Sequence, residues 1–484
     1  MSDRGFPRVM TSFINSWKPR VLLPALVILL LVGWSLANAA DVKSFPPPKP
    51  PANVGELGRS LQRSMWLMAT SNPKYRRTVK ILFYGQSITE QSWSTEVAND
   101  LRARFTNANL VIENRAIGGF ASQLLVKTAE TDLYPFYPDL IIFHVYGSHI
   151  EYENIMRRAR QLTTADILIQ TDHITKDEEI NEETSADKLT PKQWSAWMNH
   201  SFLPATSKDL GLELCDVRAG WRDYLRDNHL NAAQLLKDGV HLNDHGNYLM
   251  AELIKPYLRY DPTLSKDTWK DRVRTYQVGS YLHWRKDKLT YVFKGNRVDV
   301  VQHPGEAEPA QVLIDGKRPS EFPELYGFTR TTPYPGSGWP CILRIGSEKR
   351  LEVEDWTLTI KEVGEDPKQC KFEIAGTKTG PDGEGDTEHK FVSNSGRISI
   401  APEDWNLEYA FKTFKTKLPP GFKIEWKVVP HFVDELKLEP IKDRSLETTV
   451  TLVQGLKNTQ HKLELIGGPD TPISSIRIYE PPVP

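Results

Sequence analysis

Ser87, Asp238 and His241 are the residues whose types and spacing best fit nucleophilic catalysis. Ser87 stands in the segment 84–89 (YGQSIT), after a predicted strand and before a predicted helix. A serine hydroxyl is a weak nucleophile until a base removes its proton. At a strand-to-helix turn, the backbone N–H of the serine can also face a developing oxyanion. A Gly-x-Ser sequence is common in ordinary turns as well, so Ser87 needs partners elsewhere in the chain.

Asp238 and His241 can supply those partners. They lie three residues apart in the segment 238–243 (DGVHLN), where one tight turn can place the carboxylate beside the imidazole. The carboxylate would orient His241 and stabilise its cation, while the other ring nitrogen faces Ser87. The same spacing occurs in plain loops and in metal sites, and these readings stay open on the sequence alone.

Four short blocks of this chain, in this order, resemble those of the SGNH or GDSL hydrolases. Residues 85–89 (GQSIT) look like the first block with its nucleophile, and residues 114–119 (NRAIGG) look like the second. Residues 145–149 (VYGSH) stand where the third block is expected, and residues 238–241 (DGVH) closely match the fourth. The resemblance covers the stretch 78–260, somewhat over a third of the chain.

The resemblance implies a flavodoxin-like parallel-sheet sandwich that hydrolyses esters through an acyl-enzyme. It makes Ser87, Asp238 and His241 the catalytic residues and assigns the oxyanion hole to Ser87, Gly119 and His149. It implies no cofactor and no metal.

Two residues depart from the family pattern. Gln86 stands where the family usually has Asp, which is tolerable because that residue is not the nucleophile. His149 stands in place of an asparagine whose side-chain amide helps to bind the oxyanion. An imidazole can also donate a hydrogen bond. His149 therefore either keeps the donor role or leaves the third donor displaced or absent.

An α/β domain is expected over residues 55–261. Predicted strands at 79–84, 110–113, 139–145 and 166–170 alternate with helical stretches. Apolar runs of this length, separated by helices, are typical of a parallel sheet covered on both faces. In such sheets, reactive groups gather at the carboxyl ends of the strands, which is where the blocks stand.

The sequence pattern over residues 262–484 differs from that of the α/β domain. Short alternating strand candidates are separated by turn signals, which include 295–296 (GN), 315–316 (DG) and 381–383 (PDG). This pattern predicts an all-β sandwich or jelly-roll region of one or two modules.

The N-terminus predicts export. Residues 1–40 contain a basic segment, an apolar run over 21–36 and a small-residue exit, the three parts of a signal peptide. The run is short for a spanning helix, which needs roughly 20 apolar residues, although a retained anchor stays open. The segment 41–54 is proline-rich and predicts an extended linker. The expected location is extracytoplasmic: secreted, periplasmic or envelope-attached through the N-terminus.

The charge balance and the cysteine spacing bear on nucleic-acid binding, zinc binding and disulfide formation. Lys+Arg (61) nearly balances Asp+Glu (62), which argues against a basic surface built for nucleic acid. The three cysteines lack zinc-type spacing, and Cys341 and Cys370 either pair after export or stay as buried thiols. Asp172 and His173, after the fourth predicted strand, either contact substrate or form a structural hydrogen-bonded pair, which the sequence favours, and no role is assigned to them.

The leading functional hypothesis is an exported carbohydrate O-acetyl esterase whose partner is an acylated carbohydrate or another ester. The 13 Trp and 17 Tyr favour a glycan surface only weakly, because most aromatic residues pack in cores. A lipolytic esterase and an acyltransferase are the alternative enzymes. A glycan-binding protein that has lost catalysis, with His149 as the sign of that loss, is the alternative of another class.

Overall fold

The computed structural model describes residues 45–305, 308–366 and 368–483. The predicted signal peptide or anchor (1–40) and the first linker residues (41–44) lie outside these ranges. The described residues from Pro47 onward form one compact unit. None of the helices in the described ranges has the length and apolar content that crossing a bilayer requires.

A parallel sheet forms the centre of the first part of the chain. Its strands are β1 (Thr78–Gly85), β2 (Asn109–Asn114), β3 (Leu140–His144), β4 (Asp166–Gln170) and β5 (Glu213–Cys215). The strand order is β2-β1-β3-β4-β5. β3 and β4 are buried at every position, as expected for strands covered on both faces. The predicted α/β arrangement is confirmed, and the carboxyl ends of the strands meet at one edge.

Helices connect and cover these strands. Their bounds are α1 (Gln62–Ala69), α2 (Ser87–Glu90), α3 (Ser92–Arg104), α4 (Ser122–Asp132), α5 (His149–Leu162), α6 (Trp194–Trp197), α7 (Leu203–Leu210), α8 (Val217–Asp227), α9 (Asp244–Ile254) and, much later, α10 (Leu407–Phe414). Asn243 caps α9, because its side-chain oxygen accepts the N–H of Gly246 at 3.1 Å. This cap fixes where the helix begins, directly after the segment that carries His241.

The second part of the chain is antiparallel. Its strands are β6 (Val273–Gln277), β7 (Lys288–Gln302), β8 (Ala310–Ile314), β9 (Tyr326–Phe328), β10 (Asp355–Val363), β11 (Cys370–Gly376), β12 (Gly380–Asp386), β13 (Phe391–Val392), β14 (Ser399–Ile400), β15 (Lys423–Pro430), β16 (Glu435–Leu436), β17 (Thr449–Ile466) and β18 (Ile473–Tyr479). They form a six-stranded sheet (β16-β8-β17-β7-β18-β6), a five-stranded sheet (β12-β11-β10-β15-β9) and the pair β13-β14. The predicted change from α/β to antiparallel β structure is confirmed.

Two of the predicted turns are wrong. Gly295 and Asn296 lie inside β7, and residues 381–383 lie inside β12. The buried Asn296 amide accepts a hydrogen bond from Tyr137 and donates one to the Leu162 carbonyl, so tertiary contacts outweigh the local turn preference. The turn at 315–316 is confirmed, since both residues have a positive φ between β8 and the following chain.

The two parts share one hydrophobic core. One continuous cluster of buried side chains joins Phe120 and Phe143 of the α/β part to Trp339, Cys341 and Trp356 of the β part. Folding of the β part therefore also buries the surface beside the carboxyl end of the parallel sheet.

Gly85, at the end of β1, shows how tightly this edge is packed. A Cβ added there would lie 2.1 Å from the His144 carbonyl oxygen and 2.4 Å from Thr89 Oγ1. Both distances are far below contact, and the nearer atom belongs to the backbone of β3. Ser87 is thus held two residues beyond a point where the neighbouring strand allows no side chain.

Gly85→Ala is expected to destabilise the protein by about 2 kcal/mol, because the strands must separate to admit one methyl group. Chemical denaturation of the variant measures this loss. Gly468→Ala is the matched control, since a Cβ at that position meets nothing within 4 Å. Equal stability of the two variants would contradict the packing described for β1 and β3.

Candidate active site

Ser87 is the first residue of α2, placed by the end of β1. Its side chain is half-buried, and its Oγ lies 2.9 Å from Nε2 of His241. The two residues are 154 positions apart in sequence, and the sheet edge brings them together. The hydroxyl therefore has a base within hydrogen-bonding reach.

The turn that carries His241 is built around the carboxylate of Asp238. One carboxylate oxygen accepts the backbone N–H groups of Val240 and His241 at 2.8 and 2.7 Å. The other lies 2.9 Å from Nδ1 of His241. The N–H bonds from His241 and Val240 are the main reason that the pKa of Asp238 falls to about 2. Asp238 is therefore a carboxylate throughout the neutral and mildly acidic range.

These contacts fix the tautomer of His241. A carboxylate only accepts hydrogen bonds, so Nδ1 carries the proton and donates it to Asp238. Nε2 then offers a lone pair to the Ser87 hydroxyl. The arrangement can remove the proton of Ser87 and hold the resulting imidazolium beside a negative charge.

Two residues that sequence reasoning missed hold this turn against the sheet. Gln91 donates to the Leu242 carbonyl at 2.9 Å and accepts the Leu242 N–H at 3.1 Å, so one amide side chain ties the residue after His241 to the start of α3. From below, His173 Nε2–H donates to the Val240 carbonyl at 2.8 Å. No local pattern marks such bonds, because each joins a side chain to the backbone of a distant segment.

The expected pairing of Asp172 with His173 is wrong. Asp172 lies 3.1 Å from Nε2 of the buried His144, and the Asn199 amide donates to its second oxygen at 3.0 Å. Burial alone would raise the pKa of Asp172, but the hydrogen bonds with His144 and Asn199 and the charge of Arg218 together outweigh burial and lower that pKa. His173 is instead the partner of Tyr146 and Val240. The two neighbouring side chains therefore face different groups.

The amides of Ser87 and Gly119 have no acceptor among the described residues. Gly119 has a left-handed φ of +83° in the loop after β2, and the preceding amide, of Gly118, donates to Glu90 at 2.7 Å. The two amides that the resemblance assigns to the oxyanion hole therefore have no other hydrogen-bond acceptor among the described residues.

His149 begins α5 and lies in an aromatic cluster. Its ring centroid is 5.3 Å from those of Trp194 and Trp197 and 5.2 Å from that of Phe202. The half-buried imidazole is therefore held by ring packing rather than by a hydrogen bond among the described residues. Its role as an oxyanion donor stays a prediction.

Ser87 and His241 line an open groove of about 700 Å³. Apart from Leu242, every residue that lines it is polar or charged, including Glu90 and Lys237. Within the described ranges, no group of three or more His, Cys, Asp or Glu side chains is placed to hold a metal ion. Cys341 and Cys370 are buried thiols rather than a disulfide, and burial raises the pKa of each.

No protein-family model matches the chain, and a comparison with curated proteins gives no match. Among solved structures, the chain is similar to a two-domain esterase (CEX) active on acetylated mannans, crystallised with mannopentaose, at 14% identity and a TM-score of 0.34 over 87% of this chain and 95% of that one. It is also similar to Axe2, an acetylxylan esterase from Geobacillus stearothermophilus, at 17% identity and a TM-score of 0.32 over 39% of this chain and 97% of that one.

His173 should make stability depend on pH. Burial lowers the pKa of His173 to about 4, whereas an unfolded histidine titrates near pH 6.5. Between these values only the unfolded state binds the proton, so stability falls as the pH falls, by up to about 1.4 kcal/mol per pH unit. Urea unfolding between pH 4.5 and 7 measures this slope. His173→Gln, which cannot titrate, should show a slope lower by up to that amount, and an identical slope in both proteins would contradict the assignment.

Proposed function

We propose that this chain is an exported serine esterase of the SGNH hydrolase type. Ser87 acts as nucleophile, His241 as general base and acid, and Asp238 as the carboxylate that orients and stabilises His241. The observation that carries the proposal is the unbroken hydrogen-bond chain from the Ser87 hydroxyl through the imidazole to the carboxylate, with both contacts at 2.9 Å.

The proposed reaction runs in two halves. Ser87 Oγ attacks the ester carbonyl carbon while its proton moves to Nε2 of His241, and the tetrahedral intermediate expels the alcohol, which takes that proton. Water then attacks the acyl-enzyme and gives a proton to the same nitrogen. The second intermediate collapses to release the carboxylic acid, and the proton returns to Ser87.

The oxyanion in both halves is assigned to the N–H groups of Ser87 and Gly119. Both lack other acceptors among the described residues, so they cost no reorganisation when charge develops. His149 is proposed as the third donor, with its imidazole packed against Trp194 and Phe202.

The strand order of the parallel sheet supports the finer fold assignment. The order β2-β1-β3-β4-β5 is that of flavodoxin-like sheets, in which ligands bind at the carboxyl ends of the strands. Ser87 lies two residues after the end of β1, in agreement with that rule.

We propose an O-acetylated carbohydrate as the substrate. The groove beside Ser87 is polar, with Leu242 as its one apolar lining residue, which suits a hydrated sugar with a small acyl group better than a long acyl chain. Tyr409, 40% exposed, donates its hydroxyl proton to the Gly119 carbonyl and offers a flat ring beside the loop. These features favour carbohydrate over lipid and, because the groove is open to water, hydrolysis over acyl transfer.

Export is proposed from residues 1–40 alone. Their basic, apolar and small-residue segments would direct the enzyme to an extracytoplasmic location, where acetylated polysaccharides are found.

Ser87→Ala should reduce the turnover of p-nitrophenyl acetate by at least about 10³-fold, because neither the nucleophile nor the acyl-enzyme remains. Ser92→Ala is the matched control, since Ser92 lines the same groove and should retain most of the activity. A panel of acetylated polysaccharides, assayed for released acetate with the same proteins, tests the substrate class. Wild-type protein inactive on every acyl ester, or equal activity in Ser87→Ala, would contradict the proposed function.

A further inference from the structure

The loop that carries Gly119 is fastened at three successive peptide groups. The N–H of Gly118 donates to Glu90 Oε1 at 2.7 Å. The carbonyl of Gly118 accepts the indole N–H of Trp339 at 2.7 Å, and the carbonyl of Gly119 accepts the hydroxyl of Tyr409 at 2.9 Å. Trp339 and Tyr409 both belong to the β part, more than 200 residues further along the chain.

The hydrogen bond from Trp339 is made to the peptide group that joins Gly118 to Gly119, which also carries the Gly119 N–H. The Gly118 carbonyl and the Gly119 N–H belong to the same planar unit, and in a trans peptide they point in opposite directions. A donor that holds the carbonyl on one side therefore aims the N–H to the other side. The Gly119 N–H, which has no acceptor among the described residues, is the donor assigned above to the oxyanion.

The same bond also strengthens the donor. Hydrogen bonds polarise one another along a chain, so a carbonyl that accepts a bond has a more acidic N–H at the other end of its peptide. The adjacent bond from Tyr409 to the Gly119 carbonyl fixes the following peptide, and with it the φ and ψ of Gly119.

The packing shows that Trp339 has little freedom to move. It is 7% exposed, and its ring stacks on Tyr409 with centroids 4.6 Å apart and planes 21° apart. Phe414 and Phe120 meet it edge-on at 4.8 and 5.2 Å. A Cβ on Gly119 would lie 2.5 Å from Trp339 Cζ2. The indole can therefore approach the loop this closely only because residue 119 is a glycine.

We infer that Trp339 and Tyr409 are positioning residues for the oxyanion hole, through which the β part completes the active site. The indole N–H and the phenol hydroxyl hold the two carbonyls on either side of Gly119, and so aim its N–H at the oxyanion of the tetrahedral intermediate. This inference rests on the proposed function. It also assigns the β part a role in the chemical step itself, apart from any role in binding polysaccharide.

Trp339→Phe tests the inference, because it keeps an aromatic ring and removes the indole donor, while the loss of ring volume that accompanies it is matched by the control variant below. We expect kcat for p-nitrophenyl acetate to fall at least 10-fold with KM within threefold of the wild-type value, since a misaimed oxyanion donor acts in the transition state and not in the bound ester. The shape of the kcat–pH profile should not change, because Asp238 and His241 are untouched.

Trp405→Phe is the matched control. The Trp405 indole packs against Phe372 in the same part of the chain, and its N–H has no partner among the described residues, so its removal should leave kcat within twofold of wild type. Tyr409→Phe, which removes the second bond at the exposed edge, should lower kcat at least threefold. If Trp339→Phe does not fold, Tyr409→Phe decides the matter: a fall in kcat of at least threefold supports the positioning role, and a smaller fall overturns it.

The outcomes separate this inference from the proposed function. Wild-type protein without esterase activity would end both. Wild-type activity that requires Ser87, together with a folded Trp339→Phe variant whose kcat falls less than 10-fold, would overturn the positioning role and leave the esterase standing. A fall in kcat equal to that of Trp405→Phe, or a fall that comes with a shifted kcat–pH profile, would also overturn it.

Discussion

A single hydrogen bond, between the Ser87 hydroxyl and the His241 imidazole, is the contact on which the whole site depends. Without a base at that distance, a serine hydroxyl has almost no nucleophilic character near neutral pH. The two residues are 154 positions apart, so no local structure can bring them together. The edge of the parallel sheet does so, because β1 ends two residues before Ser87 and the turn of His241 is fastened across the same edge.

The candidate site is exposed to solvent at the Asp238 turn, whereas the residues that hold this turn in place are buried. The Asp238 side chain is 51% exposed, yet it is held by three hydrogen bonds within its own turn. Beneath that turn lie the buried His173 and the pair of Asp172 with His144, which packing and hydrogen bonds keep in place. The loop of Gly119 is held from the β part by the Trp339 hydrogen bond and by the shared hydrophobic core.

The sequence predicted those features of the fold and the candidate site that depend on a local pattern of residues. It did not predict the features that depend on contacts between distant segments. Apolar runs predicted the strands, and short blocks at their carboxyl ends marked Ser87, Gly119 and the turn of His241. No local pattern identifies Gln91 or Trp339, because each acts through a hydrogen bond to a backbone group of a distant segment. Gly295 and its neighbour read as a turn, but a buried amide that bonds across the two parts of the chain keeps them inside β7.

The most direct test of the central contact is covalent labelling with diisopropyl fluorophosphate, in which a serine oxygen bonds to phosphorus and fluoride leaves. Intact mass and peptide mapping should find one adduct per chain, on the peptide that contains Ser87. His241→Ala should lose the adduct under the same conditions, because the base that removes the proton is gone. Labelling that is absent, that lies on another residue, or that persists unchanged in His241→Ala would contradict the catalytic pairing of Ser87 with His241.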